Sequence, residues 1–247
     1  MGLNAEQRRR YERHLSLHEI GESGQEKLLN SRVLVVGAGG LGSPAAFYLS
    51  AAGVGTIGLM DGDTVDLGNL QRQILHTTGA VGRQKVDSAS ERIGALDPAI
   101  RINRYPFRLT AGNAPEILSG YDFLIDATDN FESKFLIAHV CHQASLPYSH
   151  AGISRFFGQT MTVLPGKTAC YRCVFHEEGI PSAAPPEGPL GAVPGLIGSL
   201  QAAEAVKCLL SIGNPLFNTL FTCDALTMTI RKIPVRRDPG CPLCGAP

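Results

Sequence analysis

Hydrophobic positions in the first 150 residues fall into short runs separated by longer stretches of mixed polarity. Arg32-Val-Leu-Val-Val36 is apolar without alternation, which suits a strand covered on both faces of a sheet. Residues 56–60, 100–105, 121–126 and 147–151 are predicted as further strands. Between them, 43–52, 82–96, 114–118 and 131–143 predict helices. Pro44 stands in a first turn, where a missing N–H costs nothing, and Asp97-Pro98 ends the second of these helices. Strands alternating with helices build βαβ units around a parallel sheet. A helical arm over 5–18 precedes them.

The pattern then changes. Residues 158–163 read as an antiparallel strand, 197–210 as a helix, and 216–222 and 226–235 as closing strands. The segment 176–195, with five prolines and four glycines, predicts a loop, and one this long inside a compact domain is functional or disordered. No internal repeat or clear linker interrupts the chain, so 1–247 reads as one continuous domain.

Charge and composition add bounds. Twenty-two basic residues balance 22 acidic ones, which argues against nucleic acid or an anionic membrane as the principal partner but leaves room for a local cationic pocket. At 44% hydrophobic residues the chain can bury a sizeable core. No stretch approaches the ~20 apolar residues of a membrane span, and the N-terminus lacks the apolar core of a signal peptide, so a cytoplasmic protein is expected. Seven cysteines do not suit a secreted disulfide framework and point to metal or catalysis.

Gly37-Ala-Gly-Gly-Leu-Gly42 lies directly between a predicted strand and a helix, where Gly37, Gly39 and Gly42 match the G-x-G-x-x-G pattern in its required context. The missing side chains permit a tight turn and let backbone N–H groups approach phosphate at a helix N-terminus. Asp61, at the end of the second strand, stands where an acid receives ribose hydroxyls. Taken alone, this turn favours a nicotinamide or flavin oxidoreductase.

Asn69-Leu-Gln-Arg-Gln73, Lys85 and Asp126-Ala-Thr-Asp-Asn130 shift that reading, because they gather cations and amides at the sheet edge where ligands bind. Hydride transfer needs no ring of cations, whereas attack of an anion on a polyphosphate needs charge neutralisation at phosphorus. Arg72 and Lys85 can supply it, and Asp129 can hold Mg2+. Singly, Arg72 also fits a surface ion pair and Lys85 a solvated helix face. Cys170-Tyr-Arg-Cys173 and Cys241-Pro-Leu-Cys244 have the spacing of a closed four-sulfur Zn2+ site, with a redox dithiol as the competitor. Cys141, Cys208 and Cys223 read as core residues, and His14, His18, His76 and His150 as structural.

Together with Gly198-Ser-Leu-Gln-Ala-Ala-Glu-Ala-Val-Lys207, these motifs resemble the MoeB/ThiF/HesA adenylyltransferases, prokaryotic relatives of ubiquitin-activating enzymes, in order and over nearly the whole chain. The resemblance implies an α/β, Rossmann-like domain with a mixed, mainly parallel sheet. It places an arm at 1–30, a nucleotide-binding half at 31–153, and a carrier-binding half at 154–247 whose antiparallel strands are stapled by structural Zn2+. It implies a homodimer that uses ATP and Mg2+ to adenylylate the C-terminal Gly-Gly of a ubiquitin-like sulfur carrier. Gly37, Gly39, Gly40, Gly42, Asp61, Asp63, Asn69, Arg72, Gln73, Lys85, Thr128, Asp129 and Asn130 would form the nucleotide site. Within Arg10-Tyr-Glu-Arg13, Arg13 would reach the partner subunit's active site; read without the resemblance, the arginines of this arm form the wet face of an amphipathic helix.

Residues 176–195 match the family's crossover loop, yet no cysteine stands between Cys173 and Cys208. The reaction is therefore expected to stop at the acyl-adenylate, with sulfur coming from a separate donor in the molybdopterin, thiamine or another pathway. The alternatives are the oxidoreductase, a non-catalytic carrier-binding zinc module, and a relative activating a peptide or modified nucleoside.

Overall fold

In β1 (Arg32–Val36) Val33 and Val35 face one side of the sheet and Leu34 and Val36 the other, and all four are buried, so the unalternating apolar run reports two covered faces. The computed structural model describes residues 2–176 and 188–245. Its other strands are β2 (Thr56–Met60), β3 (Arg101–Tyr105), β4 (Phe123–Asp126), β5 (Tyr148–Ser154), β6 (Phe157–Val163), β7 (Thr219–Asp224) and β8 (Thr229–Pro234). They form one sheet in the order β3-β2-β1-β4-β5-β6-β7-β8, parallel through β5 and antiparallel beyond it.

The helices are α1 (Ala5–Arg10), α2 (Glu12–Leu15), α3 (Gly21–Asn30), α4 (Gly42–Ala51), α5 (Lys85–Leu96), α6 (Ala114–Leu118), α7 (Phe131–Ala144) and α8 (Ala192–Leu210). One face of the sheet packs on α3, α4, α5 and α8 through Leu28, Leu49, Ile93 and Ile197, and the other on α6 and α7 through Leu118 and Ile137. α8 has the length and hydropathy of a membrane span, but half of that window is buried against the sheet and α4. Gly198 makes this packing close, since a Cβ there would collide with the Leu41 carbonyl.

Several boundaries differ from the sequence prediction. The helix expected from residue 82 starts at Lys85, because Gly82 has φ +86° and Thr64 pairs with Gln84 in an extended bridge. The predicted loop 176–195 gives way to helix at Ala192, with Pro194 in the first turn. Residues 177–187 of that loop lie outside the described residues. Cys141 and Cys223 are buried as expected, whereas Cys208 is only half-buried.

At the end of β4 lies a buried charge that no periodicity announces. Asp126 is 1% exposed and accepts from Lys134 Nζ at 3.2 Å and from His150 Nδ1 at 3.1 Å. The Thr128 N–H and Oγ1 donate to its other oxygen at 3.1 and 2.6 Å. Burial opposes the carboxylate, but Lys134, His150 and Thr128 overcome it and hold its pKa down at about 2. An ionised carboxylate only accepts, so the His150 proton sits on Nδ1. Burial pushes the His150 pKa down to about 4, against the pull of Asp126.

This arrangement makes stability acid-sensitive. His150 titrates near 6.5 unfolded and about 4 folded, so the unfolded chain binds the extra proton and stability falls as pH drops through that window. One such proton contributes up to about 1.4 kcal/mol per pH unit. Denaturant titrations between pH 7 and 4.5 should show a shallower pH slope for His150→Gln than for the parent; equal slopes would contradict the assignment.

Candidate functional site

Strand order reverses beside β1: β2 lies on one side and β4 on the other, so the loops after β1 and β4 run apart and open a crevice at the carboxyl edge of the sheet. Residues 37–41 form one lip. Gly37 has φ +100°, and a Cβ there would stand 2.6 Å from the Ala127 carbonyl oxygen. At Gly42 a Cβ would collide with the Gly37 carbonyl, so both positions need glycine for steric reasons. The N–H groups of Gly39, Gly40 and Leu41 donate to nothing among the described residues. They sit at the N-terminus of α4, where open donors and the helix dipole favour an anion.

Asp61 directly follows β2 and accepts from the Ala38 N–H at 2.8 Å and the Asp63 N–H at 2.9 Å. Lys85, 5% exposed, places Nζ 3.1 Å from Asp63 and 3.8 Å from Asp61. Partial burial works against the charge on Asp63; Lys85 and Arg108 outweigh it and hold its carboxyl below the usual range. Lys85 is therefore a buried cation at the crevice rather than a solvated face of α5.

Asn69 ends a short 3-10 turn, and its carbonyl accepts the N–H groups of Arg72 and Gln73. The Arg72 stem lies 3.5 Å from where a Gly40 Cβ would be, and the Gln73 amide lies at the same distance from that of Gly39. Gln73 is buried, and among the described residues its Oε1 has no partner. Pro194 of α8 covers Gly40 from another side, and Gly191 packs against the Gln71 carbonyl. The start of α8 thus helps to wall the crevice.

Residues 127–130 form the opposite lip. Asp129 is exposed, and among the described residues its one side-chain hydrogen bond comes from Asn130 Nδ2 at 3.3 Å. Asn130 caps α7 by accepting from the Ser133 N–H at 2.9 Å. The Thr128 hydroxyl donates to Asp126 rather than facing the crevice.

Arg13 is not brought to this site. Its arm is anchored at the amino-terminal ends of the parallel strands, where Tyr11 Oη donates to Asp97 between α5 and β3. Arg13 is exposed there, without a side-chain partner among the described residues. His76, Lys134 and Pro194 were not singled out for the site by the sequence, since each looks like an ordinary helix or loop residue; the polar residue ending the apolar strand β4 was the available signal.

The four cysteines do converge. Sγ separations are 3.8 Å for Cys170–Cys173, 3.6 Å for Cys170–Cys241 and 3.3 Å for Cys173–Cys244, with all four within 4.8 Å of one another. A tetrahedral zinc with bonds of about 2.3 Å requires sulfurs about 3.8 Å apart, which these residues fit. Tyr171, inside the first pair, packs against His150 with the ring centroids 4.5 Å apart and the planes tilted by 57°, linking the cluster to Asp126.

The chain is 42% identical over 248 residues to the SAMP-activating enzyme E1 of Haloferax volcanii, covering 99% of this chain and 92% of that one. It is 45% identical over 244 residues to the sulfur carrier protein adenylyltransferase of Thermus thermophilus, covering 96% and 90%. The crystal structure of Escherichia coli MccB with ATP superposes with a TM-score of 0.79 at 25% identity, over 90% of this chain and 68% of that one. The ThiF family model matches residues 11–243, from the arm to the second cysteine pair, and the chain belongs to the ThiF family.

Proposed function

We propose that this protein uses ATP to adenylylate the C-terminal glycine carboxylate of a small ubiquitin-like sulfur carrier, releasing pyrophosphate. The observation that carries this reading is the meeting of open N–H groups at residues 39–41 with Arg72 and Lys85 in one crevice. The related Haloferax and Thermus enzymes, named for carrier activation, support it.

A carboxylate approaching the α-phosphate meets like charge, so the barrier falls when fixed donors and cations surround the phosphates and align the attack. The glycine turn supplies donors and Arg72 and Lys85 supply cations; Asp61 and Asp63 face the ribose side. No general base is needed, because the attacking carboxylate is already ionised at neutral pH. Asp129 offers an exposed hard oxygen ligand of the kind Mg2+ takes, and bound there Mg2+ would neutralise phosphate charge.

Arg13 is exposed on an arm anchored at Asp97, and its contribution is made in trans within a homodimer. Cys170, Cys173, Cys241 and Cys244 hold a structural Zn2+ that closes the C-terminal segment onto the domain. Without a cysteine between Cys173 and Cys208, the reaction ends at the acyl-adenylate and a separate donor provides sulfur.

Carrier-dependent exchange of labelled pyrophosphate into ATP tests the reading, with candidate carriers compared side by side; if none stimulates exchange, it fails. Arg72→Ala and Asp129→Ala should each lower exchange by ~10² or more. Mixing Arg13→Ala with Asp129→Ala subunits should restore part of the activity, and no recovery would argue against action in trans. Metal analysis should find one zinc per chain, and its removal or Cys241→Ser should lower the melting temperature by several degrees; a metal-free protein of unchanged stability would rule the site out.

A further inference from the structure

We propose that His76 is a positioning residue that holds the Ala38–Gly39 peptide with its N–H turned toward the phosphates. The inference rests on the nucleotide reading of the crevice and assigns the device that orients the first of its open donors.

His76 is 5% exposed beneath the glycine turn. Its Nε2 lies 2.8 Å from the Ala38 carbonyl oxygen and its Nδ1 3.0 Å from Ser88 Oγ on α5. A carbonyl oxygen only accepts, so the proton sits on Nε2, and the lone pair of Nδ1 takes the Ser88 hydroxyl proton. Burial keeps the pKa of the imidazole below its ordinary value, against the pull of the Ala38 carbonyl.

The peptide bond makes this contact directional. In a trans peptide C=O and N–H point in opposite directions, so pinning the Ala38 carbonyl toward His76 turns the Gly39 N–H the other way. That N–H has no acceptor among the described residues. Asp61 holds the Ala38 N–H at 2.8 Å, so the residue is fixed through both of its backbone polar groups. Gly39 lacks the Cβ that would resist rotation about its own φ, and without His76 this peptide can flip. A flipped peptide presents carbonyl oxygen to phosphate, replacing attraction by repulsion. His76 thereby acts through the backbone and touches no substrate.

A general structural role predicts equal losses for every ligand of the site; orientation of one phosphate donor does not. Equilibrium titrations with ATP and adenosine should show His76→Leu weakening ATP about tenfold or more while adenosine changes less than about twofold. His76→Gln, whose amide can donate to the same carbonyl, should recover most of the ATP affinity, and KM for ATP should follow the same order. Should His76→Leu fail to fold, Ser88→Ala provides the second test, with a smaller loss confined to ATP. Equal losses for ATP and adenosine, or unchanged ATP binding, would overturn the assignment. Absence of ATP binding by the parent protein would instead overturn the nucleotide reading, and this inference with it.

Discussion

A carboxylate buried at the end of a central strand constrains much of this molecule. Asp126 is costly to bury as an ion, and it stays ionised because Lys134, His150 and Thr128 surround it. Each partner comes from a different element: Lys134 from α7, His150 from β5, Thr128 from the loop that carries Asp129. Lys134 also donates to the Ala151 carbonyl at 2.6 Å, and Gln201 of α8 reaches the carbonyls of Asp126 and Ser149. Neutralising one charge therefore fixes a crevice lip, two strands and two helices relative to one another. Through the tilted ring contact of Tyr171 with His150 the same network touches the cysteine cluster.

The crevice follows a complementary rule. Its glycine turn leaves N–H groups at residues 39–41 without acceptors among the described residues, while the carbonyl and N–H of Ala38 are held by His76 and Asp61. Lys85 lies between Asp61 and Asp63, and Arg72 lies over Gly40. Zero net charge thus hides a local arrangement of donors and cations suited to an anion.

Much of this was legible in the chain. The apolar runs located the strands, and the glycine turn, the Asn69–Gln73 segment and residues 126–130 pointed to the sheet edge where the crevice opens. Boundaries failed where tertiary contacts overrode local pattern. Gln84 pairs with Thr64 in an extended bridge instead of continuing α5, and α8 begins inside a segment whose prolines and glycines suggested loop. Pro194 marks a first helical turn rather than a break, a distinction that local composition does not make.

The sequence by itself determined the βαβ order, the spacing of both cysteine pairs and the motifs found at the crevice, because these depend on local periodicity and short-range spacing. Only the tertiary structure decided that Lys134 neutralises Asp126, that His76 holds Ala38, and that the arm carrying Arg13 is anchored on Asp97. Those relations join residues distant in sequence or opposed across the sheet. They are set by burial and hydrogen-bond satisfaction in the folded core, which no window along the chain can register.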